Sequence, residues 1–185
     1  MRLLPRLVLL VLWTAWFWPF VFRAPHRQKR ESITVAGPTR IGLLLETGAI
    51  ALAAVFVRPP DPSLDVPLGA LAVLIAAASA VMSWTAVQHL GRQFRLHAGL
   101  YHDHELVRSG PYAIVRHPIY TSLFGMLLST ILMLTRWDWA VAAVALFVAG
   151  TEIRVRSEDR LLASRFGAEF EAYRAQVRAY IPYLR

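Results

Sequence analysis

The sequence of 185 residues contains no cysteine. This absence excludes disulfide bonds, thiolate catalysis, iron–sulfur clusters and zinc sites with cysteine ligands. Charged residues are also scarce, at 17% of the chain, whereas an average soluble domain carries about 25%. Hydrophobic residues make up 56% of the chain, which is more apolar surface than a soluble domain of this length can bury. The composition therefore predicts a membrane protein.

Several sequence motifs of common enzymes are missing as well. The chain contains no GxGxxG, GxxxxGK[ST], GxSxG or HExxH pattern. Rossmann, P-loop, α/β-hydrolase and zinc-protease interpretations therefore have no support. A small group of polar residues resembles a metal site in composition, but its spacing matches no zinc signature, and we expect no metal at His97, His102, Asp103 and His104.

Five apolar stretches are long enough to suggest helices that cross a membrane. They lie at about residues 3–22, 41–57, 66–87, 119–134 and 137–148. A helical span needs about 20 residues, so the last two must tilt or use flanking residues. Only a short turn at about residues 135–138 joins these two, which predicts an antiparallel helical hairpin. The first stretch also resembles a signal peptide, but no small-x-small cleavage site follows it, and we expect a retained span.

The basic residues indicate how the spans are oriented. The net charge is +8, and Lys29 is the one lysine among 20 basic residues. Arginines are concentrated in the segments after spans one, three and five, and are sparse in the alternate segments. The positive-inside rule therefore places the N-terminus outside and the C-terminus in the cytoplasm, near anionic membrane lipids. We expect no nucleic-acid partner, and the small size and heavy use of arginine and alanine suggest a prokaryotic plasma membrane.

The expected fold is an all-α integral membrane bundle of about five transmembrane helices with a cytoplasmic amphipathic helix at the C-terminus. Residues 1–185 would form a single domain. Residues 1–90 would supply three spans, and residues 91–185 would supply a polar loop, the helical hairpin and the tail helix. The sequence leaves the oligomeric state open.

Two polar segments, residues 97–120 and 152–182, hold most of the candidate functional groups. Arg154 and Glu158 are four residues apart, so they share one face of a helix near the membrane boundary. Such ionisable groups usually face a cavity rather than lipid. Glu46 lies inside the second apolar stretch, and it is either a substrate contact or the buried partner of an arginine.

The tail carries an amphipathic helical pattern that is expected to lie on the membrane or to pack over the site. Gly167 interrupts the pattern and predicts a helix break there. The apolar positions of the pattern are Phe166, Phe170, Tyr173, Val177 and Ile181.

The ordered set of these segments resembles the isoprenylcysteine carboxyl methyltransferase family. The matching pieces are HELV at 104–107, GPY at 110–112, RHPIY at 116–120, Arg154 with Glu158, and RFGAEFEAYRAQVRAYIP at 165–182. The resemblance covers about the C-terminal half of the chain. Departures are Asp159, where the family usually has a second Glu, Phe170 in place of Tyr, and Thr121 and Ser122 where a Gly is common.

The resemblance implies a membrane enzyme that transfers a methyl group from S-adenosylmethionine to a lipophilic acceptor, best an isoprenylcysteine carboxylate. Phospholipid amines and small thiols are alternative acceptors, and a sterol-type NADPH-dependent reductase or a lipid-binding scaffold are weaker alternatives. Arg154 would hold the acceptor as the catalytic residue, and Glu46 is a further candidate for substrate binding. The implied cofactor-binding residues are His104, Leu106, Val107, Tyr112, His117, Pro118, Tyr120 and Glu158.

Overall fold

A computed structural model of the chain describes residues 3–22, 32–34, 37–91, 99–101 and 105–180. The helices within these ranges are α1 (Leu3–Phe22), α2 (Gly37–Val55), α3 (Pro62–Leu90), α4 (Pro118–Leu134), α5 (Trp137–Phe166) and α6 (Ala168–Gln176). A short 3₁₀ helix covers Gly110–Ala113. Two three-residue strands, β1 (Ser32–Thr34) and β2 (Gly99–Tyr101), pair antiparallel with Ile33 opposite Leu100.

The helices α1 to α5 alternate in direction through one bundle. On α1, the Trp13 indole N–H donates to Thr130 of α4, whereas the Trp16 indole N–H donates to Ser122. Residue numbers rise along α1 in the direction in which they fall along α4, so the two helices are antiparallel. These bonds also satisfy indole N–H groups that would be costly to bury alone.

One end of the bundle is closed by Arg58, in the turn between α2 and α3. The buried Arg58 guanidinium donates to Leu132 O and to the Asp65 carboxylate, at 2.8 and 2.7 Å. Asp61 caps α3 by accepting from the Ser63 backbone N–H. Turn α2–α3 and turn α4–α5 thus meet at this end, and the described parts of the second polar segment and of the RHPIY segment lie at the other end.

The predicted hairpin of α4 and α5 is confirmed, although each helix packs more extensively against another partner. Residues of α2, α4 and α5 share one apolar cluster, which consists of Ala49, Ala53, Leu127, Ile131, Ala140, Ala143 and Phe147. A second cluster joins α1, α3 and α4 through Trp16, Ala76 and Met126. The main partner of α5 is α2, and that of α4 is α3.

Three of the described helical segments are long and apolar enough to cross a membrane: Leu3–Phe22, Pro38–Val55 and Pro62–Leu90. Helix α4 is apolar but has 17 residues, and α5 has 30 residues with a polar C-terminal half. The helical membrane bundle is thus confirmed, and the count of five spans stays a prediction.

The tail helix is shorter than the apolar pattern predicted. The break at Gly167 is confirmed, because this residue has a positive φ of 50° between α5 and α6. Helix α6 then ends at Gln176, so Val177 lies outside it. Ile181 lies outside the described residues.

Helices α2 and α5 approach each other most closely at two glycines. A Cβ atom on Gly150 would lie 2.7 Å from Gly42 O and 2.9 Å from the Leu45 Cβ. A Cβ on Gly42 would lie 2.7 Å from Gly150 O. Small residues allow this close backbone approach, which is how helices commonly pack in membranes.

Gly150→Ala is therefore expected to lower the thermal unfolding midpoint, because the added methyl group forces two backbones apart. Overpacking of this kind costs about 1–3 kcal/mol. Gly48→Ala is the matched control on α2, since its Cβ would meet Leu146 at an ordinary 3.5 Å. Tryptophan fluorescence in detergent measures both, and equal midpoints would contradict the close crossing.

Candidate functional site

The centre of the site is His117, which directly precedes the first residue of α4. Its Nε2 lies 2.9 Å from an Asp159 oxygen, and its Nδ1 lies 3.3 Å from a Glu158 oxygen. Asp159 also accepts a 2.8 Å charge-assisted hydrogen bond from the Arg116 guanidinium. The RHP segment is thereby joined to the polar half of α5 by two adjacent carboxylates.

These contacts change the pKa of His117. Burial alone would lower the pKa of this imidazole, but the hydrogen bonds to Asp159 and Glu158 outweigh burial and raise the pKa to about 9. His117 is therefore protonated at neutral pH. The same His117 and Arg116 contacts overcome the burial of Asp159 and lower the pKa of its carboxyl group.

Glu158 is the acidic group of the cluster that is most open to solvent. One of its oxygens accepts from the Tyr120 hydroxyl, and the other faces His117. A quarter of its side chain remains exposed, compared with 14% of the Asp159 side chain. A carboxylate has about four lone-pair sites. Glu158 thus retains the capacity to accept hydrogen bonds from a cationic ligand.

Arg154 and Glu46 form a second charged pair across the α2–α5 crossing. The Arg154 guanidinium donates to Glu46 at 2.6 Å, and the Thr151 hydroxyl donates to the other Glu46 oxygen at 2.9 Å. The guanidinium carbon lies 4.7 Å from the centre of the Tyr120 ring. Of the two roles left open for Glu46, the structure shows the buried partner of an arginine.

Residues after α6 close one side of the site as an extended strap. The backbone N–H groups of Arg116 and His117 donate to Arg178 O and Ala179 O, both at 2.8 Å. The Arg116 guanidinium donates to Val177 O, and the Thr121 hydroxyl donates to Tyr180 O at 2.6 Å. Arg116 therefore fastens the strap to α5, since its other nitrogen holds Asp159.

Four of the five remaining residues named by the resemblance lie within the described part of the chain. Pro118 is buried in the first turn of α4, two residues before Tyr120. Tyr112 is buried in the 3₁₀ helix, where its backbone carbonyl accepts from the Tyr173 hydroxyl at 2.5 Å. Leu106 and Val107 are half-buried. His104 lies outside the described residues.

The sequence interpretation missed three parts of the site. Asp159 was treated as a departure from the family pattern, yet it binds both Arg116 and His117. Thr151 and the strap carbonyl groups were not singled out. The spacing of Thr151 and Arg154, three residues apart on a helix, is the available signal for a shared partner. Contacts to backbone carbonyl groups cannot be predicted from residue types, because every residue has the same carbonyl group.

Protein stability is expected to fall as the pH rises through the range in which His117 titrates. The folded-state pKa of about 9 exceeds the ordinary value of 6.5, so the stabilisation is fully present below pH 6.5 and is lost by about pH 9. Thermal unfolding between pH 6 and 10 measures this, with His117→Gln as the comparison. An equally steep decline in that variant would contradict the assignment.

Comparison with known proteins agrees with the order of these segments. The sequence pattern of the isoprenylcysteine carboxyl methyltransferase (ICMT) family matches residues 70–164. The match contains α4, nearly all of α5 and most of α3, and so includes His117, Arg154 and Glu158.

Three curated relatives align with parts of the chain. The cobalt-zinc-cadmium resistance protein CzcN of Cupriavidus metallidurans is 34% identical over 118 residues, which is 63% of this chain and 49% of CzcN. The protein-S-isoprenylcysteine O-methyltransferase of Schizosaccharomyces pombe is 35% identical over 80 residues, which is 43% of this chain and 34% of that enzyme. The enzyme of the same name from Saccharomyces cerevisiae is 32% identical over 82 residues, which is 44% and 34%.

This chain thus spans about half of CzcN and about a third of each yeast enzyme within the aligned regions. The family pattern itself covers slightly more than half of the chain and includes the charged cluster. The chain belongs to the isoprenylcysteine carboxyl methyltransferase family.

Proposed function

We propose that this protein transfers a methyl group from S-adenosylmethionine to a lipophilic carboxylate of the isoprenylcysteine type. The observation that carries the proposal is the cluster of His117, Tyr120 and Glu158 beside Arg154. It supplies a partly exposed carboxylate and a guanidinium on one helix face. Family membership and the names of the two yeast relatives support the same reaction class.

The residues present fit the proposed cofactor. S-adenosylmethionine supplies an activated methyl group on a sulfonium and carries an amino-acid ammonium group. Glu158 would hold the ammonium group, because its carboxylate is partly exposed and has unused acceptor sites. The further residues that we propose for cofactor binding are His104, Leu106, Val107, Tyr112, His117, Pro118 and Tyr120.

A carboxylate acceptor also suits the charged groups at the site. An amine or thiol acceptor would need a base to remove a proton. His117 is an unsuitable base, since the flanking carboxylates raise its pKa to about 9 and keep it protonated at neutral pH. Glu46 is bound by Arg154 and Thr151. A carboxylate acceptor is already ionised and needs no base.

Arg154 is the proposed acceptor-binding and catalytic residue. Its Nε is buried and has no hydrogen-bond partner among the described residues, although the guanidinium is held by Glu46. A guanidinium keeps its charge in such a setting and presents several donors in a fixed plane. Those donors would orient the acceptor carboxylate, and correct orientation of two reactants contributes about 7–11 kcal/mol to catalysis.

The family and the apolar helices identify an integral membrane protein. We further propose that α4 and α5 also cross the membrane, with the N-terminus outside and the C-terminal amphipathic helix in the cytoplasm. The 30 residues of α5 measure about 45 Å, against about 30 Å of hydrocarbon core, so its polar half would project beyond the membrane. The proposed location is a prokaryotic plasma membrane, with membrane lipids or lipidated substrates as partners.

The proposed roles of Glu158 and Arg154 predict different effects of substitution. Glu158→Ala is expected to abolish binding of S-adenosylhomocysteine, because it removes the carboxylate that holds the ammonium group. Arg154→Lys keeps the charge opposite Glu46 and is expected to retain cofactor binding but lose most turnover, since Lys cannot make a forked contact. Calorimetry in detergent measures binding, and transfer of a labelled methyl group to lipid extracts measures turnover.

Glu171→Ala is the control for the loss of a carboxylate, because Glu171 forms an exposed ion pair with Arg174 on α6. It should bind the ligand as tightly as the wild type. Folded wild-type protein that fails to bind S-adenosylhomocysteine would overturn the proposed function.

The absence of cysteine allows a direct test of the topology. Arg136→Cys and Arg156→Cys place single thiols at two exposed positions, one directly before α5 and one on it, that are separated by about 30 Å along the helix axis. A membrane-impermeant maleimide on intact cells should label the first position, and the second only after permeabilisation. Labelling of both positions from one side would refute the crossing of α5.

A further inference from the structure

Arg154 and Glu158 carry opposite charges one helical turn apart, yet they are not paired with each other. Residues at this spacing on a helix are the usual partners of an ion pair. The Arg154 guanidinium instead crosses to α2 and donates to Glu46, and Glu158 binds Tyr120 and His117. Glu158, the carboxylate one turn from Arg154 on the same helix, thus binds partners other than Arg154.

We propose that Glu46 is a positioning residue that holds Arg154 away from Glu158. The consequence is that the Glu158 carboxylate stays available for the cofactor, and this consequence rests on the proposed function. Glu46 itself touches neither reactant. It acts through Arg154.

The surroundings of Glu46 suit this role. Its side chain is 1% exposed, so it is not a surface group that meets a soluble ligand. One oxygen accepts from Thr151 and the other from Arg154, and both of these donors lie on α5. The two bonds fix the direction of the carboxylate as well as its distance from the guanidinium.

The glycine crossing fixes the height at which Glu46 meets α5. Gly42 lies one turn before Glu46 on α2, and Gly150 directly precedes Thr151 on α5. A Cβ at Gly42 would lie 2.5 Å from the Arg154 Cγ, so the aliphatic part of the arginine passes over a position without a side chain. The stem of Arg154 is thereby led toward α2.

Removal of the Glu46 charge should let Arg154 turn to Glu158. A buried guanidinium without a counter-charge is costly, and Glu158 is the anionic group on the same helix face. Arg154 would then compete with His117 and with the cofactor ammonium for one carboxylate. The result would be weaker cofactor binding without any change in the residues that touch the cofactor.

Glu46→Gln tests this, because glutamine keeps the shape and can still accept from Thr151. S-adenosylhomocysteine should bind about tenfold more weakly, the loss expected for one charge-assisted hydrogen bond. The double variant Glu46→Gln with Arg154→Met should recover near-wild-type affinity, because the competing cation is gone. Unfolding midpoints in the same detergent ensure that affinities are compared between folded proteins.

A purely structural role for Glu46 predicts a different pattern. It would lower the unfolding midpoint of Glu46→Gln but leave the affinity of the folded fraction unchanged, and this result would overturn the proposal. If the single and double variants bound S-adenosylhomocysteine equally weakly, the proposal would also be overturned, because Arg154 would not be the cause of the lost affinity.

The titration of His117 gives a readout that does not depend on any methyl donor. His117 faces Glu158 and Asp159 directly, with Arg116 bound to the second of these carboxylates. When Arg154 pairs with Glu158, the pKa of His117 should fall in Glu46→Gln and return in the double variant, as followed by NMR of labelled histidine. An unchanged His117 titration would refute the positioning role, whereas failure of the wild type to bind the ligand would refute only the proposed function.

Discussion

The charged cluster at one end of this bundle is constrained by the cost of burying a charge without a partner. Six ionisable side chains meet in a small volume between α2, α4 and α5, namely Glu46, Arg116, His117, Arg154, Glu158 and Asp159. Three of them are acidic and three are basic, so the cluster is close to neutral with His117 protonated. Because an unpaired charge in a low-dielectric setting costs several kcal/mol, the arrangement of partners determines the site.

Two different supports, each a set of contacts between elements of the fold, hold the two halves of the cluster. Arg116, His117 and Asp159 join the start of α4 to α5 and to the strap at residues 177–180. Glu46 and Arg154 depend on the close crossing of α2 and α5 at Gly42 and Gly150. Glu158 and Tyr120 lie where the two supports meet. A ligand that binds Glu158 would therefore contact a carboxylate whose neighbours are fixed from two directions.

Contacts outside the site hold the helices together. Arg58 ties the α2–α3 turn to α4 and α3, and Thr135 donates to Ala53 O across the same end. On α1, two indole groups are bonded to hydroxyl groups of α4. These contacts place no functional group, but they set the register of the helices that carry the cluster.

Much of the fold and part of the site could be predicted from residue order. Apolar runs of membrane length predicted the helices, since a buried backbone must satisfy its hydrogen bonds within each segment. Gly167 predicted the break between α5 and α6, because its positive φ is costly for other residues. The RHPIY segment, Arg154 and Glu158 drew attention to the right end of the molecule, although the roles proposed for them rest on further physical argument.

Within the site, tertiary structure alone decided which charges pair. The i,i+4 spacing of Arg154 and Glu158 favoured a pair within α5, but the glycine crossing brings Glu46, more than a hundred residues away, within 2.6 Å of the guanidinium. Likewise, Arg116 donates to a backbone carbonyl group of the strap, and this contact could not be predicted from the residue types. Sequence determined the helices because hydrogen bonding and burial there are local. Partner choice depends on distances between separate helices, and these exist only in the folded chain.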